Sequence, residues 1–353
     1  MKKVLYVGGF IFPYENAATT RVKNIGRLLK SINYATQYFS IYFGCDEANY
    51  NASLQKKSYW EQISFKKLER YIYTYQPDVI IAYNLPSILF IKLLLNKKRF
   101  NYELIIDCSE WYDTKGISLF KKPIKWLDTS LRMNFLNFLS KKIICISSRL
   151  EKKYSKKKTI LIPPLMDDTY KIQNKRKPYV LVFSGNGATG KDDLEAIINA
   201  INNLVKKGYI IKLEIIGIEA EQMSLNCSDK TWLKFHGRLA RNEARKVISM
   251  SHYSVFFRKG TRANNYGFPT KFSESIALGV PVITNDFSDI SCYITNSVDS
   301  FYTKKVDDNA LEKIIEKALK LDSNQYDILV RNMRKLDFFK EEKYRDEFFE
   351  FMK

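Results

Sequence analysis

Short apolar runs alternate with amphipathic helical patterns along most of the chain, and this alternation constrains the fold more than any other feature. The first series has strand patterns at 3–7, 37–42, 79–83, 104–107 and 143–146, with a helix pattern at 20–31 and further helices between the strands. The second series has strand patterns at 179–184, 210–216, 231–235 and 253–257, with helix patterns at 192–206 and 241–249. Strands that alternate with helices form mostly parallel sheets. The sequence therefore predicts an α/β protein with two such sheets.

The two series predict two domains with a linker between them. Residues 163–178 are polar, bracketed by prolines and without periodicity, as expected of a linker. A chain of 353 residues is long enough for two separate cores. We therefore predict an N-terminal domain at 1–165, a linker at 166–178, a C-terminal domain at 179–336 and a terminal helix at 337–353.

Several classes of protein are disfavoured by simple sequence features. The longest apolar stretch, 85–95, is broken by Lys92 and is shorter than the roughly 18 residues that a membrane span needs. The first residues lack the small-residue cleavage site of a signal peptide. Five cysteines without CxxC spacing suit a reducing compartment and indicate no zinc. We expect a cytoplasmic protein without a metal site.

Positive charge is concentrated in the first half of the chain. Of the 58 Lys and Arg residues, 30 lie in 1–175, with only 14 of the 38 Asp and Glu residues. Such a surface attracts polyanions, including an anionic bilayer, nucleic acid or a phosphate-bearing acceptor. A solvated lysine-rich surface without a specific partner explains the same numbers equally well.

The stretch from Ile117 to Lys142 mixes lysines with Trp, Phe and Leu. A helix of this composition can lie in a bilayer interface, with its apolar face toward the lipid and its lysines toward the phosphates. Packing of Trp126, Leu127, Phe135 and Phe138 against the sheet is the alternative.

A glycine-rich segment, GNGATGK at 185–191, follows a strand pattern and precedes a helix pattern. It fits the G-x-x-x-x-G-K motif of phosphate-binding loops, in which the next residue is a Ser or Thr that ligates magnesium. Asp192 stands at that place. The segment therefore argues against a nucleotide-hydrolysing enzyme, and a flexible connector with a surface lysine remains an alternative.

The segment at 258–286, RKGTRANNYGFPTKFSESIALGVPVITND, contains the features of a ligand site. Residues 264–269 form the predicted loop, and Thr270 is the predicted N-cap of a helix that Gly279 ends before a strand at 280–283. A helix N-terminus behind a loop of small residues binds anions, phosphate above all. Lys271 in the first turn is unfavourable for the helix dipole unless an anion binds there.

This segment resembles the donor-site signature of the retaining GT-B glycosyltransferases of family 4. In that family a loop of EGFG type leads into a helix that ends in A-x-G-x-P-V-[VI], and the sequence here ends in ALGVPVI. Two glutamates of the family flank seven residues, and the second holds the ribose hydroxyls of a nucleotide sugar. Glu274 matches the second glutamate, whereas Tyr266 stands at the place of the first.

The resemblance implies a fold and a donor site. The implied fold is GT-B, with two Rossmann-like domains whose mostly parallel sheets face a central cleft, and with a terminal helix that crosses back to the first domain. The family places a G-R-x-x-x-x-K segment after the first strand of the second domain; Lys191 has the lysine place and Asn186 replaces the arginine. Lys191 is the implied catalytic cation. Arg258, at the end of a predicted buried strand, is the second predicted catalytic cation, in place of the missing arginine, and a plain surface arginine is the alternative. The implied donor-binding residues are Asn186, Tyr266, Gly267, Phe268, Thr270, Lys271 and Glu274.

Weaker likenesses occur in the first half of the chain. Gly8-Gly9, Glu15-Asn16 and Arg21 resemble the family's early glycine-rich loop and the arginine that begins its first helix. The run DCSEWY at 107–112 resembles its D-x-H-E-W segment, with Ser109 where histidine is usual. The residues implied on the acceptor side are Gly9, Asn16, Arg21 and Glu110.

The resemblance implies a retaining transferase that uses a nucleotide sugar, a uridine diphosphate sugar foremost, without a metal or other cofactor. The implied acceptor is a glycan, a lipid-linked glycan or an anionic polymer, in bacterial cell-surface polysaccharide synthesis at the inner face of the plasma membrane. A non-catalytic glycan-binding partner subunit remains an alternative, because Tyr266, Asn186 and Ser109 depart from the family pattern. No recognisable nucleic-acid-binding motif accompanies the positive charge, so nucleic acid is not an expected partner.

Overall fold

The computed structural model describes residues 1–12, 16–46, 54–62, 64–112, 114, 118–166, 178–185, 192–223, 231–304 and 307–353. The chain divides into two compact units. The first unit contains Met1–Leu165, Tyr266–Phe268 and Lys340–Lys353. The second contains Met166–Asn265 and Pro269–Phe339. Most of the predicted linker, 167–177, lies outside the described residues.

The first unit is built on a seven-stranded sheet with helices packed against it. Its strands follow the order β3-β2-β1-β4-β5-β6-β7, and every pair is parallel except β2 with β3. The elements are β1 Lys2–Gly8, α1 Ala17–Ser31, β2 Tyr34–Ser40, β3 Cys45–Asp46, α2 Tyr59–Gln62, α3 Lys66–Tyr75, β4 Val79–Tyr83, α4 Ser87–Phe100, β5 Glu103–Cys108, α5 Lys122–Asn134, β6 Lys142–Cys145, α6 Ser148–Lys153 and β7 Lys158–Leu161. Short 3-10 turns at Leu119–Lys121 and Leu136–Leu139 flank α5.

Burial of apolar side chains on both faces of the sheet explains why these runs form strands. Val4 and Leu5, on opposite faces of β1, are both fully buried, as expected of a strand covered by helices on both sides. Helix α1 contributes Val22, Ile25 and Leu28 to the same core. A last helix, α14 (Arg345–Met352), packs on α1 and β7 and adds Phe348 and Phe351.

The second unit is built on a six-stranded sheet in the order β10-β9-β8-β11-β12-β13, all parallel. The elements are β8 Tyr179–Ser184, α7 Leu194–Lys206, β9 Ile211–Ile216, β10 Leu233–Phe235, α8 Arg241–Met250, β11 Tyr253–Phe256, α9 Arg262–Tyr266, α10 Thr270–Ala277, β12 Val282–Asn285, α11 Ile290–Tyr293, β13 Phe301–Thr303, α12 Asp308–Leu319 and α13 Ser323–Arg334. The prediction of an α/β protein with two mostly parallel sheets is confirmed.

The strand order of each sheet reverses direction once, and ligands of open α/β sheets bind beyond the carboxyl ends of the strands at this reversal. In the first unit the reversal lies between β1 and β4, and in the second it lies between β8 and β11. The residues that follow β8 and β11 are therefore the first place to look for a site in the second unit.

Candidate functional site

Two glycines after β8 and β9 shape the backbone at the reversal of the second sheet. Gly185 directly follows β8, and its amide donates to the carbonyl of Ile216 at 3.0 Å. A Cβ on Gly185 would lie 2.8 Å from Nζ of Lys271. Gly217 has a φ of +93°, and a Cβ there would collide with the carbonyl of Gly185. A side chain is thus excluded at Gly217, and a side chain at Gly185 would displace the ammonium group of Lys271.

Three charged side chains converge at this edge of the sheet. Nε of Arg258 lies 3.0 Å from Oδ1 of Asp192, and Nζ of Lys271 lies 2.7 Å from Oδ2 of the same carboxylate. All three side chains are almost buried. We call Asp192, Arg258 and Lys271 the cation pair cluster. One carboxylate therefore holds two cations that come from positions 66 and 79 residues further along the chain.

Burial and charge compete in this cluster. Burial lowers the pKa of Lys271 to about 8, although the carboxylate of Asp192 opposes the shift. Burial also acts to raise the pKa of Asp192, but Lys271 and Arg258 outweigh it and hold that pKa below its ordinary value. The Lys271 ammonium lies 4.4 Å from the ring centroid of Phe183, which adds a cation–π contact. The cluster carries a net positive charge at neutral pH.

Backbone contacts keep the cluster in place. Oδ1 of Asn285, at the end of β12, accepts from the amide of Arg258 at 2.8 Å, and its Nδ2 donates to the Arg258 carbonyl at 2.9 Å. Asp192 and Arg258 also form an isolated antiparallel bridge. Asp193 then caps α7, because its carboxylate accepts from the amide of Ala196. The two strand ends and the start of α7 are thus tied together.

Helix α10 carries Lys271 and, one turn later, Glu274. Burial raises the pKa of Glu274, against the opposing charges of Arg245 and Arg241. Among the described residues, no donor lies within hydrogen-bonding distance of its carboxylate. A carboxylate without a bonded partner in a low-dielectric place is costly unless a ligand uses it.

Three local predictions around α10 need correction. Pro269, not Thr270, is the N-cap, and no side chain caps this helix. The first part of the predicted loop at 264–269 is helical, because helix α9 ends at Tyr266. Oγ1 of Thr261 accepts from the amide of Asn264 at the start of this helix. The predicted strand at 280–283 is observed as β12, two residues later, because Pro281 has no amide hydrogen to pair with a neighbour. The end of the helix is as predicted, with Gly279 in the left-handed region at a φ of +73°.

The other residues predicted at the donor site belong to the first unit or fall outside the described part of the chain. Asn186 and Lys191 lie outside the described residues. Tyr266, Gly267 and Phe268 belong to the first unit. There, the ring of Tyr266 meets Trp111 at 5.1 Å between centroids, and its carbonyl accepts from Oγ of Ser147 at 2.8 Å.

The residues predicted on the acceptor side have mostly structural surroundings in the first unit. The amide of Gly9 donates to the carbonyl of Tyr83, and Asn16 is the N-cap of α1. Arg21 is buried, and its Nε and Nη2 hold the carboxylate of Asp107 at 2.7–3.0 Å. This geometry favours a structural role for Arg21.

Glu110 has a different setting. With Ser109 and Tyr112 it lines a small pocket beyond the carboxyl ends of β4 and β5, which Arg132 of α5 borders from the other side. Glu110, one of the residues predicted on the acceptor side, thus lies at a pocket of the first unit.

An apolar surface covers one side of α5 and the turns beside it. Trp126 and Leu127 are each 62% exposed and Phe135 is 65% exposed, whereas Phe138 is partly buried. Packing against the sheet therefore accounts for Phe138 and not for the other three. The buried side of α5 carries Asp128 and Arg132 instead. We call the exposed residues Leu119, Phe120, Ile124, Trp126, Leu127, Phe135 and Leu139 the apolar surface.

Residues 166–336 match the family described as glycosyl transferases group 1. The match covers slightly less than half of the chain, and the two mostly parallel sheets are those of the GT-B fold. A search among curated proteins gives no match. Within the described ranges, no helix is long and apolar enough to cross a membrane, and no group of three acidic, His or Cys side chains is placed to hold a metal ion.

Several solved structures have the same fold as this chain. Sucrose-phosphate synthase from Thermosynechococcus elongatus superimposes with a TM-score of 0.73 at 13% identity, over 100% of this chain and 98% of that one. A glycosyltransferase from Rickettsia africae superimposes with a TM-score of 0.70 at 13% identity, over 100% and 99%. Anabaena HepE in complex with UDP-glucose superimposes with a TM-score of 0.65 at 13% identity, also over 100% and 99%.

The sequence analysis missed two residues of the cluster's surroundings. Asp192 served there only as the residue that disfavours a nucleotide hydrolase, yet it holds both cations. Asn285 was not singled out at all. Its only sequence signal is a polar side chain at the carboxyl end of a buried strand, the position from which side chains reach a site in this kind of sheet.

Proposed function

We propose that this protein is a retaining glycosyltransferase of the family 4 type that moves a sugar from a nucleoside diphosphate sugar, a uridine diphosphate sugar foremost, to a glycan, lipid-linked or anionic polymer acceptor. The observation that carries the proposal is the convergence of Arg258 and Lys271 at the strand-order reversal of the second sheet. Two cations beside a glycine backbone suit a diphosphate. HepE, a solved structure with the same fold, has been obtained with UDP-glucose, which supports uridine as the base.

In this proposal Asp192 balances the cations while no donor is bound. The carboxylate uses one donor of each cation, Nε of Arg258 and one N–H of Lys271. The donor's diphosphate would interact with their remaining donors, and Lys191 would add a third cation. Glu274, whose carboxylate has no bonded partner among the described residues, would accept from the ribose hydroxyls.

The chemical step follows from the charge that develops on the diphosphate. The bond between the sugar's anomeric carbon and the diphosphate oxygen breaks, and the acceptor oxygen forms a new bond to that carbon on the same face. The proton of the acceptor hydroxyl passes to the departing diphosphate oxygen. Preorganised cations and helix amides stabilise the developing charge, so we propose that Arg258, Lys271, Lys191 and the first amides of α10 do this without a metal ion.

The acceptor and its location are inferred from the first unit. An exposed apolar surface flanked by Lys121, Lys122 and Lys141 suits an interface with anionic lipid, because aromatic and aliphatic groups enter the acyl boundary while lysines meet the phosphates. We propose that the protein binds the inner face of the plasma membrane and elongates a lipid-linked or anionic surface glycan in a bacterium.

A second candidate function is a glycan-binding partner subunit without catalytic activity. It is favoured by Tyr266, which stands at the place of a family glutamate and contacts Trp111 of the first unit. Turnover of UDP-sugars by the isolated protein separates the two functions, because a partner subunit hydrolyses and transfers none.

Thermal unfolding with UDP, GDP, ADP and their sugars tests donor binding first. A ligand that binds only the folded state raises the unfolding temperature. We expect a rise with UDP that is lost in Lys271→Met and kept in Lys259→Met, because Lys259 is an exposed lysine near the cluster that pairs with Asp193 instead. The donor site is refuted if no nucleotide stabilises the protein, or if the two variants respond alike.

A further inference from the structure

Arg132 of α5 is buried, and two of its three guanidinium nitrogens have no hydrogen-bond partner among the described residues. Arg132 is only 6% exposed. Its Nη1 donates to Oδ1 of Asn84 at 2.8 Å and to the carbonyl of Leu85 at 3.1 Å. Nε and Nη2 donate to no acceptor among the described residues. A buried ionised group with two unpaired nitrogens is costly to the fold unless a ligand accepts from them.

Arg21, in the same unit, shows what the edge of a guanidinium formed by Nε and Nη2 binds. Its Nε and Nη2, the two groups that Arg132 leaves unpaired, both bond to the carboxylate of Asp107. Its Nη1 donates to a backbone carbonyl, as Nη1 of Arg132 does. The two arginines differ in that Arg21 has its oxyanion and Arg132 has none. A planar fork of this kind matches carboxylate or phosphate oxygens.

Arg132 lines a pocket with a polar and aromatic lining, and its two unpaired nitrogens are buried. Arg132 borders the pocket together with Asn84, Ser109, Glu110 and Tyr112. The ring of Tyr112 lies 5.3 Å from the guanidinium carbon, a cation–π contact that holds the side chain in this orientation. The lining comes from α5 and from the residues that follow the carboxyl ends of β4 and β5.

The other charges around the pocket do not pair with Arg132. Asp107 is bound to Arg21 and Tyr6. The carboxylate of Asp128 accepts from the amide of Ser87 and lies 3.8 Å from Lys125. Burial lowers the pKa of Lys125, and the charge of Arg132 lowers it further.

Glu110 lines the pocket, but no ion pair of 4 Å or less joins it to Arg132 in the described part of the chain. Arg132 is therefore the cation that offers a bidentate edge to the pocket.

We propose that this pocket binds one oxyanion group, a carboxylate or a phosphate, through Nε and Nη2 of Arg132. The proposal deepens the proposed function and rests on it in one respect: the anion belongs to the acceptor. An acidic sugar supplies a carboxylate and a lipid-linked or polymer-linked sugar supplies a phosphate. The site selects acceptors by one charged group and leaves the transferred sugar to the second unit.

The test follows the Nε–H signal of Arg132 by nuclear magnetic resonance of the protein with ¹⁵N-labelled arginine. The Nε–H signal of Arg132 is assigned by its loss in Arg132→Lys. Tyr112→Leu, which removes the ring beside the guanidinium, gives an independent assignment through the changed shift of that signal. Glucuronate, glucose 6-phosphate and glucose are then titrated separately. We expect the signal to move downfield and saturate with glucuronate, with glucose 6-phosphate or with both, and to stay in place with glucose.

The two anionic probes distinguish the source of the oxyanion, because an acidic-sugar acceptor predicts the response to glucuronate and a phosphate-linked acceptor the response to glucose 6-phosphate. An Arg132 signal that responds to neither anion, or equally to glucose, overturns the proposal. Binding of UDP, measured on the same protein, distinguishes failure of this pocket from failure of the donor site. If UDP stabilises the protein but the Arg132 signal responds to neither anion, the proposed donor site stands and the oxyanion pocket is refuted. If the Arg132 signal responds to an anion but UDP does not bind, the pocket stands and the donor site is refuted.

Discussion

Replacing Asp192 by Asn removes the carboxylate and nearly preserves its shape, which leaves Arg258 and Lys271 adjacent, almost buried and without their counter-ion. Removing one partner of a buried ion pair costs about 3–5 kcal/mol. For a protein or domain of 150–250 residues each kcal/mol lowers the unfolding temperature by about 2–4 °C, so the expected fall is about 6–20 °C. The upper part of that range is less favoured, because burial already holds the pKa of Lys271 near 8 and the lysine can lose its proton.

Asp193→Asn is the matched control. Asn caps a helix as well as Asp does, and within the described ranges the ion-pair partner of Asp193 is the exposed Lys259 at 3.1 Å. An exposed pair is worth about 0–1 kcal/mol, so this variant should unfold within about 4 °C of the wild type. Differential scanning calorimetry measures both variants.

UDP then separates a structural from a ligand-linked role of Asp192. If the two cations receive a diphosphate, UDP should stabilise Asp192→Asn more than the wild type, because its negative charge replaces the lost carboxylate and no longer competes with it. Equal unfolding temperatures of Asp192→Asn and Asp193→Asn, or a smaller UDP effect in Asp192→Asn than in the wild type, would refute this account of the cluster.

Three further predictions concern the pH response of UDP binding, the carboxylate of Glu274 and the apolar surface. The pKa of Lys271 is about 8 in the folded protein and near 10.5 in the unfolded chain, so the cost of burying its charge is present below pH 8 and is relieved as the pH rises from 8 to 10.5. Because the neutral lysine no longer attracts a diphosphate, calorimetry should show that the UDP affinity of the wild type falls above pH 8. The UDP affinity of Lys271→Arg should stay level over the same range. Glu274→Gln should raise the unfolding temperature, since burial raises the pKa of that carboxyl and its charged form lowers the stability of the fold, while UDP affinity falls at least roughly tenfold. Trp126→Glu should weaken sedimentation with phosphatidylglycerol vesicles by at least roughly tenfold, and Tyr73→Glu, which alters an exposed aromatic residue on α3, should not; equal losses would remove the apolar surface as the contact.

Local periodicity was enough to predict the α/β class, because each strand and helix of a parallel sheet carries its own apolar pattern. The strands that the sequence analysis missed, β3, β7 and β13, have only two, four and three residues and lie at the sheet edges. So short a run cannot show a period. Lysines at the start of β7 further weaken its apolar signal.

The candidate site was predicted where it depends on neighbours along the chain and missed where it depends on pairing at a distance. Lys271 and Glu274 stand one turn apart on α10, so their relation follows from helical spacing. Asp192 meets Arg258 and Lys271 only because β8 and β11 are adjacent in the sheet. No local pattern reports that pairing.

Helix α5 shows a third limit. Its sequence has two distinct faces, but a periodic pattern does not say which face is inside. The structure buries Asp128 and Arg132 and exposes Trp126 and Leu127, because polar partners at Ser87, Asn84 and Leu85 lie on the inner side. The inner face of this helix could be identified only from the fold.

The central claim is that the second unit binds the diphosphate of a nucleotide sugar through Lys271 and Arg258. Isothermal titration of UDP and of uridine into the wild type and Lys271→Met tests it most directly, since the two ligands differ only in the diphosphate. A charge-assisted contact contributes about 1.5–3 kcal/mol, so Lys271→Met should weaken UDP binding by roughly ten- to 150-fold and leave uridine binding unchanged. Equal affinity of the wild type for UDP and uridine, or the same UDP affinity in both proteins, would contradict the account.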